Sequence, residues 1–260
     1  MLSFHARKTV EGCAGITLLN PVSSKKLWNL SLMRTLLFDI DGTLLLTNRG
    51  GQGALEIALQ QEFDLPGATA DVHYAGRTDR GILDELLVLN GLEPTESNRE
   101  RLQNRYISLL PQMLQQRGGT VLPGVVELLE RLAKDARVCV SVMTGNLVET
   151  AHHKLDHFGL RHYVRWIVGG DRDVHRDDLA RRAREVIRSE AGEQACERIM
   201  VIGDTPADIR CGHAIGATVV AVCTGGYSRE MLELENPLLV VDDLSDLVKL
   251  LPVLVGEAGD

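Results

Sequence analysis

Three short stretches of this chain place carboxylates or a hydroxyl where an apolar run gives way to a turn. Asp39-Ile40-Asp41-Gly42-Thr43 closes the first such run. Side chains alternate faces along a strand, so acids at i and i+2 point the same way. Two like charges brought together out of water are costly unless a cation or a shared proton relieves them. Gly42 lets the chain turn sharply and bring backbone N–H groups close to a ligand. Asp-Gly is also a common turn pair, so this stretch alone divides evenly between site and turn. Gly203-Asp204-Thr205-Pro206-Ala207-Asp208 follows a second run. A helix N-cap with Pro206 in the first turn explains one acid there, but not Asp208 four residues on. Acids from two strands meeting at one edge make a hard-oxygen site suited to Mg²⁺. Met143-Thr144-Gly145-Asn146 closes a third run, offering a hydroxyl and the amides that open a helix, an anion-binding arrangement. For Thr144 taken alone, a plain N-cap explains as much. Three such ends, two of them acidic, are harder to explain as three unrelated caps.

The elements that would position these groups follow from the apolar pattern. Strand-like runs lie at 35–40, 137–143, 165–168, 198–202, 218–222 and 238–241. Most are continuous Val, Ile and Leu, as in strands buried on both faces of a parallel sheet. Helical patterns fall between them at 124–134, 146–158, 178–190 and 206–215, with a short one near 243–251. The alternation predicts a doubly wound, Rossmann-like α/β sheet, with ligands at the carboxyl edge of its strands. Residues 49–118 break the rhythm: helical patterns at 52–62, 79–90 and 97–116 are separated by Pro66-Gly67, Asn90-Gly91 and Glu93-Pro94. They read as an all-helical cap inserted into a core of 33–48 and 119–260.

The chain has 260 residues, with 28 Lys and Arg against 36 Asp and Glu, a formal charge of −8. Such a balance is a poor match for non-specific nucleic-acid binding, which needs a basic surface. No run of eighteen apolar residues is present, so no membrane span is expected. Five scattered cysteines without a CxxC pair argue against a disulfide scaffold and for a cytoplasmic setting. Residues 1–32 carry Arg7, Lys8, Lys25 and Lys26 against a single acid, Glu11, and show no sustained period. They read as an extension to the fold: a mis-assigned start with Met33 as the true one, a disordered tail, or, last, a transit peptide.

DxDGT, a Thr-Gly-Asn strand end and GDTPxD, in that order, resemble the haloacid dehalogenase-like superfamily, in particular its helical-cap phosphatases of the phosphoglycolate phosphatase type. The resemblance covers residues 34 to about 250. It implies a phosphatase acting on a small phosphate ester with Mg²⁺ through an aspartyl-phosphate. Asp39 would be the nucleophile and Asp41 the general acid/base. Asp39, Asp204 and the backbone carbonyl of Asp41 would hold the metal, with Asp208 orienting a metal-bound water or the cation of the third motif. Thr144, Gly145 and Asn146, with Gly42 and Thr43, would bind the phosphoryl group, and Arg77 in the cap would meet the leaving group or sit exposed at a helix cap. The family usually carries a Lys in the loop after its third strand. Here that stretch reads Gly169 to Leu179, and Arg176 best matches the position, with Arg172 as a second candidate. Lys154 falls mid-helix and reads as a solvated surface charge. His152, His153 and His157 share a helix and read as a solvated face. An acid at position 41 favours a phosphomonoesterase or a sugar phosphomutase of the β-phosphoglucomutase type. A non-catalytic binding protein on the same fold is the third reading, and the presence of both Asp39 and Asp204 weighs against it. The assembly expected is a monomer or homodimer.

Overall fold

The computed structural model describes residues 33–256; the expectations for residues 1–32 lie outside them. The strands are β1 (Arg34–Phe38), β2 (Leu45–Leu46), β3 (Thr120–Val121), β4 (Val138–Met143), β5 (Ile167–Val168), β6 (Ile199–Gly203), β7 (Thr218–Val222) and β8 (Leu239–Val241). Six of them form one parallel sheet in the order β5-β4-β1-β6-β7-β8. The order reverses direction about β1, so β4 and β6 flank it and open a crevice at its carboxyl end.

Burial on both faces explains the unbroken apolar runs. Leu36 and Phe38 of β1 enter one apolar cluster, while Leu37 between them enters the other. Helices α4 (Val125–Leu132) and α5 (Val148–His157) cover the first face, with α9 (Leu247–Val255). Helices α6 (Arg176–Ala191) and α7 (Pro206–Ala214) cover the second, with the short α8 (Arg229–Glu233). This is the layered α/β architecture that the sequence predicts.

Helices α1 (Gly50–Phe63), α2 (Asp79–Leu89) and α3 (Glu96–Arg117) gather around a third apolar cluster, built on Leu55, Leu59, Leu83, Leu86 and Leu110, which Leu147 at the start of α5 also joins. The chain enters and leaves this unit through the antiparallel pair β2–β3, in which Leu46 faces Thr120. Gly119 needs its freedom here: its φ is 152°, and a Cβ on it would lie 2.2 Å from the Leu46 carbonyl oxygen.

Candidate active site

Asp39 follows β1 directly, and its N–H donates to the Ile202 carbonyl at 2.9 Å, which ties it to β6. Because β1 and β6 are neighbours in parallel register, Asp39 and Asp204 emerge at one edge. Asp208 joins them from the first turn of α7, and the three carboxylates bring oxygens within 4.8 Å of one another, all buried. Thr205 caps α7 by accepting from the Asp208 N–H at 3.1 Å, while the Asp208 carboxylate accepts from the Thr205 N–H and hydroxyl. The N-cap read at this position is therefore present, and the second acid completes it as a capping box. Asp204 is held tightly. The Thr43 hydroxyl donates to it at 2.9 Å, and a Cβ on Gly42 or Gly225 would lie 2.4 or 1.8 Å from its Oδ2. Thr43 thus supports a carboxylate rather than facing the cavity.

Two buried cations pair with the strand-end acids, Arg176 with Asp39 and Asp208 and Lys154 with Asp41. Arg176 opens α6, two residues earlier than the pattern suggests, and is buried. Its Nη2 lies 3.0 Å from Asp39 Oδ1 and also donates to Asp208. A cation at a helix N-terminus opposes the helix dipole, so the two carboxylates are what hold it there. Arg172 is exposed.

The second cation corrects the sequence reading. Lys154 is not a solvated surface charge: it is 4% exposed, and its Nζ donates to both Asp41 oxygens, at 2.8 and 2.6 Å, and to Asn146 Oδ1 at 2.7 Å. Its position on α5 follows the buried stripe of Val148, Ala151 and Leu155. Helical side chains lean toward the N-terminus of their helix, so the long stem reaches back over one turn to the strand end. The neighbouring histidines differ among themselves. His152 accepts from Arg161 Nε at 2.9 Å, His153 is half-buried and His157 is exposed.

The Thr-Gly-Asn stretch at the end of β4 has two distinct jobs. Asn146 Nδ2 donates to Asp41 Oδ2 at 2.7 Å and to the Thr144 hydroxyl at 2.8 Å, so Lys154, Asp41, Asn146 and Thr144 form one chain of contacts. Gly145 receives the helical unit: its carbonyl accepts from the Asp79 N–H at 2.6 Å, and a Cβ on it would lie 1.9 Å from the Arg77 carbonyl oxygen. Close by, the Arg80 N–H donates to the Gly170 carbonyl and the Thr78 hydroxyl to that of Val174. The Asp79 carboxylate is buried and accepts from the Leu147 N–H at 2.9 Å. Arg77 lines the cavity, but its guanidinium is engaged within its own unit by Glu85 and the carbonyls of His73 and Gly81.

Electrostatics single out the acid cluster. Burial raises Asp39 to about 6, helped by Asp208 and Asp41 and opposed by Arg176. Burial likewise pushes Asp204 well above the usual carboxylate range, with Asp208 and Asp39 adding to the shift. Burial disfavours the charged Arg176, but Asp208 and Asp39 more than offset this and hold it protonated. Although Arg176 is near, Asp39 Oδ1 is buried without a well-aligned hydrogen-bond donor. Crowded buried carboxylates with an unsatisfied oxygen are a donor set that fits a hard divalent cation.

The family described as haloacid dehalogenase-like hydrolase matches residues 36–222, most of the chain. The chain belongs to the haloacid dehalogenase-like hydrolases. Among its curated relatives in this family is a phosphoglycolate phosphatase of Pectobacterium atrosepticum, 28% identical over 85% of this chain and 94% of that one. The phosphoglycolate phosphatase of Rhodospirillum rubrum is 30% identical over 82% of this chain and 89% of its own. A solved hydrolase from Pseudomonas syringae superposes with a TM-score of 0.61 at 27% identity, over 85% of this chain and 99% of that one. Within the haloacid dehalogenase-like hydrolases, the chain is a phosphoric monoester hydrolase. Among its described residues no helix is long and apolar enough to cross a membrane.

Proposed function

We propose that this enzyme is a Mg²⁺-dependent phosphatase that hydrolyses a small, phosphoglycolate-like monoester through an aspartyl-phosphate on Asp39. The observation that carries the reading is Asp39 itself, set between Arg176 and Asp204 at the sheet edge and opening into the cavity. Phosphoryl transfer is governed by alignment and charge neutralisation rather than by covalent assistance. The Asp39 carboxylate attacks phosphorus and displaces the alkoxide. Asp41 delivers a proton to that leaving oxygen, then accepts one from the water that cleaves the aspartyl-phosphate. Lys154 and Asn146 fix the Asp41 carboxylate for both steps. Thr144 and neighbouring amides hold the phosphoryl oxygens. Arg176 keeps Asp39 in place and offsets the charge gathered around it. Asp39, Asp204 and the backbone carbonyl of Asp41 would hold the Mg²⁺, which when bound screens the approach of an anionic nucleophile to an anionic ester. In this reading helices α1–α3 act as a cap over the reacting groups, and the enzyme works in the cytoplasm as a monomer or homodimer, without nucleic acid.

Asp39→Asn tests the proposal. An amide keeps the shape but cannot attack phosphorus, so turnover of any phosphomonoester with Mg²⁺ should vanish while the melting curve survives. Near-wild-type steady-state turnover without deamidation would remove Asp39 as the nucleophile.

A further inference from the structure

A cavity of about 600 Å³ lies between the acid cluster and helices α1–α3. That falls within the roughly 300–1,000 Å³ typical of pockets for drug-sized ligands, far more than a two-carbon acid fills. Its wall carries the apolar side chains of Leu46, Leu55, Val72 and Ile82 and the rings of Tyr74 and Tyr106, interrupted by the polar Thr47 and Gln52.

Four cations line the cavity. Lys154 is paired with Asp41, Arg176 with Asp39 and Asp208, and Arg77 with Glu85. Arg49 differs. Among the described residues no carboxylate lies within salt-bridge distance of it, and its Nε donates to Gln52 Oε1, another cavity residue, at 2.8 Å. Its position is bought with strain: Asn48 and Arg49 are consecutive non-glycine residues at φ 47° and 61°, at the entry to α1. Such residues persist only where the surrounding structure holds them, and they cluster at ligand sites.

We propose that the chamber is shaped for an ester whose leaving group has an apolar body and a distal anionic group, which Arg49 binds. This rests on the phosphatase reading above, keeps its anionic leaving group and replaces the two-carbon body with a larger, apolar one. Cleavage of the P–O bond then releases an apolar-bodied alcohol carrying a carboxylate or similar anion, with inorganic phosphate as the other product. Guanidinium is suited to this task because its planar fork pairs with carboxylate or phosphate through two parallel hydrogen bonds.

The test uses the full chain with Mg²⁺ and three esters: para-carboxyphenyl phosphate, its neutral isostere para-carbamoylphenyl phosphate, and phosphoglycolate. In the wild type, kcat/KM for the carboxylate should exceed that for the amide by about tenfold or more, the scale of one charged hydrogen bond, and should exceed that for phosphoglycolate. Arg49→Gln should bring the carboxylate-to-amide ratio close to one, and Arg49→Lys should keep part of it. A wild-type ratio near one, a ratio unchanged in Arg49→Gln, or phosphoglycolate turned over faster than both aryl esters would overturn the inference. Because the wild-type ratio is read first, a poorly folding variant does not rescue it. No turnover of any ester would instead sink the phosphatase reading, and this inference with it.

Discussion

At the scale of single residues, the site depends on two buried cations that do different work. Arg176 bridges Asp39 and Asp208, so removing it leaves both carboxylates facing surplus negative charge. Losing one such preorganised group typically costs about 10²–10³ in rate. Arg176→Ala should lose kcat on that scale, Arg176→Lys should recover part, and exposed Arg172→Ala should change it far less. A crippled Arg172→Ala beside a mild Arg176→Ala would reverse the assignment. Lys154 acts through Asp41, so Lys154→Met should keep the fold, since a thioether chain fills the space of the stem, yet lower kcat by about 10², at the lower end of what acid–base assistance contributes. A Lys154→Met enzyme with kcat close to wild type would show that Asn146 alone suffices to orient Asp41. The strand-end acids were readable because strand periodicity fixes where they point. Arg176 was readable as a cation before a helix. Lys154 was not, because a lysine in the middle of a helix is usually solvated, and its course depends on which turn its stem leans over. Arg49 gave no signal either, since neither strain nor a missing partner is written in residue types.

At the scale of elements, the contact between α2 and the sheet edge carries a titratable group. Burial raises the Asp79 carboxyl to about 6, with Asp41 and Asp171 adding to it and Lys154 and the Leu147 N–H opposing. The unfolded chain, near 3.8, ionises first, so the stability contributed by protonated Asp79 is lost as pH rises from about 4 through about 6. Asp79→Asn removes this contribution while its side-chain carbonyl still accepts from Leu147. The variant's stability relative to wild type should therefore climb across that window, by up to about 3 kcal/mol for a fully buried group. Denaturant melts at several pH values measure it; a flat or falling difference would show that Asp79 does not carry the effect. Element positions were largely legible: β7 lies at 218–222 as read, and α2 ends one residue short of its pattern. The expected strand at 165–168 shrinks to Ile167–Val168, in register with Val142 and Met143 of β4, although the Arg165 N–H and the Trp166 carbonyl also bond to β4. The β2–β3 pair and the five-residue α8 were not foreseen, since two-residue strands and a single turn of helix carry no measurable period.

At the scale of the whole molecule, the sheet with its covering helices and the three-helix unit each have an apolar core, yet they share one polypeptide that crosses between them twice. Both crossings run side by side, with Leu46 opposite Thr120. From the sheet's point of view, then, seventy-odd residues amount to an ornate hairpin loop, and the doorway is no wider than a single pair of facing residues. A tight Asn-Gly turn has the geometry to join two such antiparallel ends. Replacing residues 47–119 by Asn-Gly should yield a smaller folded protein that has lost helical signal but keeps cooperative unfolding. Because Asp39, Asp204 and Arg176 all stay behind, this miniature should still be stabilised by Mg²⁺ in a thermal melt. A chain that melts without cooperativity would mean that the contacts of Gly145 and Gly170 with the Arg77–Arg80 turn are needed to complete the fold. Should the miniature stand alone, the architecture is that of a socket: one reacting core into which different substrate-reading inserts can be spliced at a fixed point without disturbing a strand of the sheet.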